Sequence, residues 1–272
     1  MTTHDGLKLH TKAWTISDPK ADILLAHGFF EHCERYSAET KFLNEAGYSV
    51  YSYDQRTHGK SEGNRRSYVS NFENYSKDYK SYLHKLELGK VRPYYLFAHS
   101  MGGLVLATYL VNEPKLGDNF MGAIFSAPLI LPDKEIAPFL QKISGLIGTL
   151  FPTLKVVKID STVISRDPQE ILKYNNDPLV YTDKMYASSA YKLLKQMKKI
   201  QPQLSNISCP ILIMHGTDDK LVEIDGSRLL YSKVISEDKE LKEFIDYKHE
   251  ITRDLGKEKV LEHMKNWMDE RL

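Results

Sequence analysis

A serine hydroxyl is a weak nucleophile near neutral pH. It needs an imidazole to take its proton, a carboxylate to hold that imidazole, and N–H donors to meet the oxyanion. Ser100 stands in Ala98-His99-Ser100-Met101-Gly102. Small residues two before and two after the serine let a strand turn sharply into a helix and lift the hydroxyl clear. A helix opening there also aims backbone N–H groups and a partial positive charge at a developing alkoxide. Ala98 occupies a position that such turns usually give to glycine, so a slight local adjustment is expected there. The expected acid is Asp219, in His215-Gly216-Thr217-Asp218-Asp219, with Asp218 as the second candidate. The expected base is His249, in Tyr247-Lys248-His249-Glu250, which completes the order Ser, Asp, His. Two backbone N–H groups are expected to form the oxyanion hole. One belongs to Met101, the other to Phe29 in His27-Gly28-Phe29-Phe30. Loss of one such donor would cost about 3 kcal/mol.

Ten histidines are present, so position has to discriminate among them. His263 falls inside a terminal helical pattern and reads as surface. His27, His99 and His215 adjoin strand ends and read as structural or as supports of loops. No H-E-x-x-H or paired-cysteine spacing occurs, so neither a metal nor another cofactor is expected.

These residues must be held by elements that alternate in type. Short apolar runs at 23–26, 48–53, 94–98, 121–126, 211–214 and 244–247 read as strands, with an edge-like first strand over 7–15. The run at 94–98 is apolar throughout, as for a parallel strand covered on both faces. Helical periodicity marks 35–46, 71–88, 100–112 (closed by Pro114) and 257–268. The expected fold class is α/β: a doubly wound, mostly parallel sheet with helices on both faces.

From 128 to 182 the rhythm breaks. Ile136, Phe139, Leu140, Ile143, Ile147 and Leu150 lie at helical spacing, and Gly145 and Gly148 weaken that helix. An insertion this long is a cap or small subdomain, which predicts a core of 1–127 and 183–272 with a helical cap at 128–182. The apolar stripe would dock on the core, or line an acyl pocket and touch a membrane surface.

The bulk numbers restrict the partners. Lys plus Arg total 37 against 36 Asp plus Glu, so no field exists to hold a nucleic acid. Two distant cysteines, Cys33 and Cys209, read as free thiols in a reducing compartment. The chain shows neither a signal peptide nor a membrane span, so a cytoplasmic or membrane-peripheral protein is expected.

The motifs together resemble the branch of the α/β-hydrolase fold serine hydrolases that contains monoacylglycerol lipases and lysophospholipases. The likeness runs from His27-Gly28-Phe29-Phe30-Glu31-His32 with Arg35-Tyr36, through Asp54 and His58-Gly59-Lys60-Ser61-Glu62-Gly63, to the three triad motifs. Within the cap, Ile159-Asp160-Ser161-Thr162-Val163-Ile164-Ser165-Arg166 and Tyr174-Asn175-Asn176-Asp177-Pro178-Leu179 are similar to monoacylglycerol lipase in particular. The resemblance implies ester cleavage on a small-molecule lipid, a long acyl tunnel, and a polar pocket for glycerol. Glu31, Arg35 and Tyr174 would line or brace that polar end, a surface ion pair being the plainer reading of Glu31 and Arg35. Thr57 stands where the family often has glycine. The implied activity is hydrolysis of monoacylglycerol, with lysophospholipase or broad carboxylesterase activity as alternatives and a non-catalytic lipid-binding protein as the third.

Overall fold

A computed structural model of the chain describes residues 1–113, 115–132 and 138–272, with 138–143 described by their backbone alone. Pro114 and Ile136, named above as a helix stop and a stripe position, lie outside the described residues, as do the side chains of Phe139, Leu140 and Ile143.

Seven strands form the main sheet: β1 (Thr11–Trp14), β2 (Ala21–Ala26), β3 (Tyr48–Tyr53), β4 (Tyr94–His99), β5 (Phe120–Ser126), β8 (Ile211–Gly216) and β9 (Lys239–Phe244). Their order is β1-β3-β2-β4-β5-β8-β9. Within this sheet, among the described residues, only the β1–β3 pair is antiparallel. Between β5 and β8 the chain leaves the sheet through β6 (Lys155–Val157) and β7 (Met185–Tyr186), a separate antiparallel pair.

Side chains alternate across a strand, and β4 shows the result. Leu96 and Ala98 join the core under α2 (Glu73–Leu86), α3 (Met101–Asn112) and α6 (Ala187–Ile200). Tyr95 and Phe97 join the opposite core under α1 (Ser37–Glu45) and α8 (Lys257–Asp269). α3 is buried on every side from Met101 to Val111, which explains why it lacks a polar stripe. The remaining helices are α4 (Pro138–Leu150) and α5 (Pro168–Asn176) in the excursion, and α7 (Ile224–Lys233) after β8. α5 has a strong start, because the Asp167 side chain accepts from the Gln169 N–H and Pro168 takes the first turn.

Three expectations change. The last strand lies at Lys239–Phe244, not at 244–247, because its Lys-Glu-Leu-Lys-Glu stretch is a charged edge paired only to β8. The first helix is a 3-10 turn (Cys33–Tyr36) followed by the shorter α1. The two glycines of α4 have a packing role: a Cβ on Gly148 would come within 2.7 Å of the Tyr191 Cβ, and one on Gly145 within 3.2 Å of its ring. They let α4 approach α6 closely.

Parallel strands carry their C-terminal ends to one edge of the sheet, where loops can converge. Phe29 follows β2, Ser100 follows β4, Asp219 follows β8 and His249 follows β9. Residues far apart in sequence therefore meet above one rim.

Candidate active site

Ser100 sits at the turn from β4 into α3 with φ 53° and ψ −118°. This is a left-handed backbone that costs a non-glycine residue about 1–3 kcal/mol. The turn is crowded: a Cβ on Gly102 would lie 2.3 Å from the Ala26 carbonyl oxygen and 2.6 Å from that of His27. Ala98 is fully buried beneath the turn, and its methyl is accommodated in the core.

The Ser100 Oγ lies 3.0 Å from Nε2 of His249, whose Nδ1 lies 2.7 Å from Oδ2 of Asp219. With its Nδ1–H donating a hydrogen bond to the carboxylate, the imidazole presents the Nε2 lone pair to the hydroxyl. Asp219 is held in turn by the Leu221 and Val222 amides at 2.8 and 3.0 Å and by His215 Nε2 at 3.1 Å. Burial raises the Asp219 pKa, but His249 and His215 outweigh it and hold the carboxyl well below the usual range. Burial opposes charge on His249 as well, and Asp219 reverses this, leaving the imidazole above its ordinary value. Asp218, the second candidate acid, is half exposed and pairs with Lys220 at 3.0 Å. His263 is on α8, where it pairs with Glu240.

Neither the Phe29 nor the Met101 N–H donates a hydrogen bond among the described residues. Gly28 is held by its own N–H, which donates to Glu31 Oε1 at 2.6 Å. Phe30 takes φ 69° and stacks on Phe29 at 4.2 Å. The loop is fastened from outside by the Tyr181 N–H to the Phe30 carbonyl at 2.8 Å and by His32 to Asp177, also at 2.8 Å. Thr57, where the resemblance expects glycine, has φ 65°. The loop keeps a glycine's backbone despite a β-branched side chain.

A cleft of about 420 Å³ opens above Ser100, within the range of small-ligand sites. Leu129, Val157, Met185, Leu193, Leu194 and Met197 make most of its wall apolar, while Glu31, Tyr174 and Glu250 form a polar end near His249. Arg35 does not line the cleft. It braces the residues that do, donating to Glu31 Oε2 at 2.7 Å and to both oxygens of Glu250 at 2.7 and 2.8 Å, with its guanidinium 4.8 Å from the Tyr174 ring centroid. This corrects the reading of Glu31 and Arg35 as a surface pair, because both side chains are at most 6% exposed. Arg253 completes the cluster against Glu31, Glu250 and Glu39. Burial raises the Glu31 and Glu250 carboxyls, but the two arginines overcome it and hold both below their ordinary values.

Sequence reasoning missed Arg253, Glu39 and the bracing role of Glu250. Only the adjacency of Glu250 to His249 hinted at any of them. His99, read from sequence as structural or loop-supporting, lines the cleft with its ring 4.7 Å from that of His249. Its Nδ1 faces the Ser126 carbonyl at 3.1 Å, and burial, aided by His249, lowers its pKa to about 3. His99 is therefore a neutral wall residue.

Two groups of metal-ligating side chains occur among the described residues, His10 with Cys33 and Asp54, and His4 with Asp5 and Asp78. In each, a carboxylate is already engaged: Asp54 by the Cys33 and Lys60 amides, and Asp78 by Arg56. Neither group lines the cleft at Ser100.

Residues 17–256 match the family described as serine aminopeptidase, S33. Over 265 residues the chain is 29% identical to the monoacylglycerol lipase of Mycolicibacterium smegmatis, covering 97% of this chain and 93% of that protein. It is 30% identical to the monoglyceride lipase of Rattus norvegicus, covering 98% and 89%. The crystal structure of Paleococcus ferrophilus monoacylglycerol lipase superposes with a TM-score of 0.85 at 28% identity, over 97% of this chain and all of that one. The chain thus belongs to the serine aminopeptidase, S33 family of α/β-hydrolase fold serine hydrolases, on the branch that holds the monoacylglycerol lipases.

Proposed function

We propose that this protein hydrolyses monoacylglycerol to glycerol and a fatty acid at Ser100. The observation that carries the reading is the unbroken Ser100–His249–Asp219 relay at the floor of an apolar cleft with one polar end. Ser100 Oγ attacks the ester carbonyl as His249 Nε2 takes its proton, and Asp219 stabilises the imidazolium. The oxyanion is met by the free amides of Phe29 and Met101. Collapse of the tetrahedral adduct breaks the ester bond, and His249 returns the proton to the departing glycerol oxygen. Water, deprotonated by His249, then attacks the acyl-enzyme and releases the acid with Ser100 restored.

Residues 128–182 act as a cap over the acyl chain, whose burial contributes about 0.8 kcal/mol per methylene. Glu31 and Tyr174 meet the glycerol hydroxyls, and Arg35 holds both in place. The cap also touches the lipid surface: Leu146, Leu150, Phe151, Leu154 and Val157 are each half exposed or more, an apolar patch that suits a bilayer interface. Among the described residues no helix is long and apolar enough to cross a membrane. Two free cysteines fit a reducing, cytoplasmic setting at the membrane surface.

The test compares turnover of monoacylglycerol, lysophosphatidylcholine and a short nitrophenyl ester by wild type and Ser100→Ala. Monoacylglycerol should be the preferred substrate, and the variant should lose roughly 10⁴- to 10⁶-fold in kcat while staying folded. Preference for lysophosphatidylcholine, or turnover of the short ester alone, would overturn the reading.

A further inference from the structure

His249 lies on a loop between β9 and α8, and a loop of this kind has little intrinsic rigidity. Arg35 and Glu39 hold it from the core side, and contact with the cap adds attachments on both sides of the histidine. Before it, the Lys248 ammonium donates to the Thr162 carbonyl at 2.7 Å. After it, the Glu250 N–H donates to the Ile164 carbonyl at 2.8 Å. Ile164 is itself anchored, packed with Tyr174 and Val180 in a small separate core.

A third attachment runs through Asp254. Its buried carboxylate accepts from the Lys248 N–H at 2.8 Å, from the Arg166 N–H at 2.6 Å and from Arg166 Nε at 2.9 Å. The Arg166 guanidinium also donates to the Leu255 carbonyl at 2.6 Å and lies 4.4 Å from the centroid of the Tyr247 ring. Ser165 Oγ donates to the Arg253 carbonyl at 3.1 Å. One carboxylate thus ties residues 165–166 of the cap to the amide immediately preceding His249. None of these groups reaches the cleft.

We infer that Arg166 and Asp254 are positioning residues that place His249 by latching its loop to residues 162–166 of the cap. The inference rests on the reading of His249 as the base for Ser100. An imidazole that must bridge 2.7 Å on one side and 3.0 Å on the other tolerates little drift. Misplacement by about 1 Å costs on the order of 100-fold in rate. Released from the latch, the cap would no longer hold the loop, and the bridging geometry would be populated for only part of the time. Substrate contacts would remain, so the loss should fall on kcat rather than on KM.

The test uses Arg166→Met, which removes the guanidinium but keeps the backbone N–H to Asp254, and whose site is partly exposed and tolerant of exchange. Kinetics on a short nitrophenyl ester and the rate of fluorophosphonate labelling at Ser100 are measured, with the melting temperature as a check on folding. In folded Arg166→Met, kcat and labelling rate should both fall about 10- to 100-fold with KM within about twofold. Arg166→Lys, which keeps a cation facing Asp254, should recover part of both. Lys248→Met, which cuts one strand of the attachment, should give a smaller loss in the same direction. A folded Arg166→Met that labels and turns over at the wild-type rate, or one that changes only KM, would overturn the inference. If wild type itself fails to label, the failure belongs to the assignment of Ser100 and His249 instead.

Discussion

The charge on His249 links reaction and stability with opposite signs. Its pKa in the folded protein is raised above 6.5 because the Asp219 carboxylate outweighs burial. The reaction needs the neutral imidazole, so kcat/KM should fall as pH drops through a value above 6.5. A raised pKa adds stability that is fully present below the unfolded value and is lost only as pH rises through the folded one. Glu31 and Glu250 have depressed values, so their contribution is lost only as pH falls below the ordinary carboxylate range. Buried, neutral His99 and His58, both lowered to about 3, cost stability as pH falls below 6.5, so on acidification kcat/KM should fall before the melting temperature does. Melting temperature and kcat/KM followed over the same buffers check this; parallel loss of both would contradict it. The residues proposed to react were legible because each sits within a few positions of a strand end and carries its own local motif. The cluster of Glu31, Arg35, Glu39, Glu250 and Arg253 was not, since it joins two stretches over 200 residues apart that share no spacing.

At the scale of elements, the helix that begins at Ser100 approaches β2 so closely that glycine at 102 is a condition of the turn. Gly102→Ala would set a methyl against the carbonyl oxygens of Ala26, at the end of β2, and of His27, which leads into the Phe29 loop. Backbone cannot rotate away as a side chain could, so both halves of the proposed oxyanion hole would shift. The variant should lose about 1–3 kcal/mol of stability to overpacking and on the order of 100-fold in kcat. Denaturant titration and steady-state kinetics measure the two. Normal kcat in a folded Gly102→Ala would contradict the close approach. Buried strands such as β4 announce themselves by unbroken apolar runs. β9 does not, because an edge strand keeps its charges and shows no apolar run. The excursion between β5 and β8 was visible as a break in rhythm, but its fastening to the Phe30 loop depends on pairs such as His32 with Asp177, 145 residues apart.

For the molecule as a whole, the proposed lipid contact of the excursion can be tested apart from the chemistry beneath it. Phe151 is 61% exposed and lines no part of the cleft. Phe151→Glu should therefore weaken sedimentation with phosphatidylcholine vesicles about tenfold, by removing a buried ring at the interface. Turnover of a soluble short ester should stay within about twofold. A joint loss of binding and soluble turnover would place Phe151 in the catalytic region instead. The convergence of four strand ends on one rim also sets a temporal order. Ser100 and His249 are 149 positions apart, and their contact requires β4, β8 and β9 to be in register. Such non-local closure comes late and slowly in folding. On dilution from denaturant, helical signal and collapse should return before any ester is cleaved, so the first appearance of activity times the docking of the last strand.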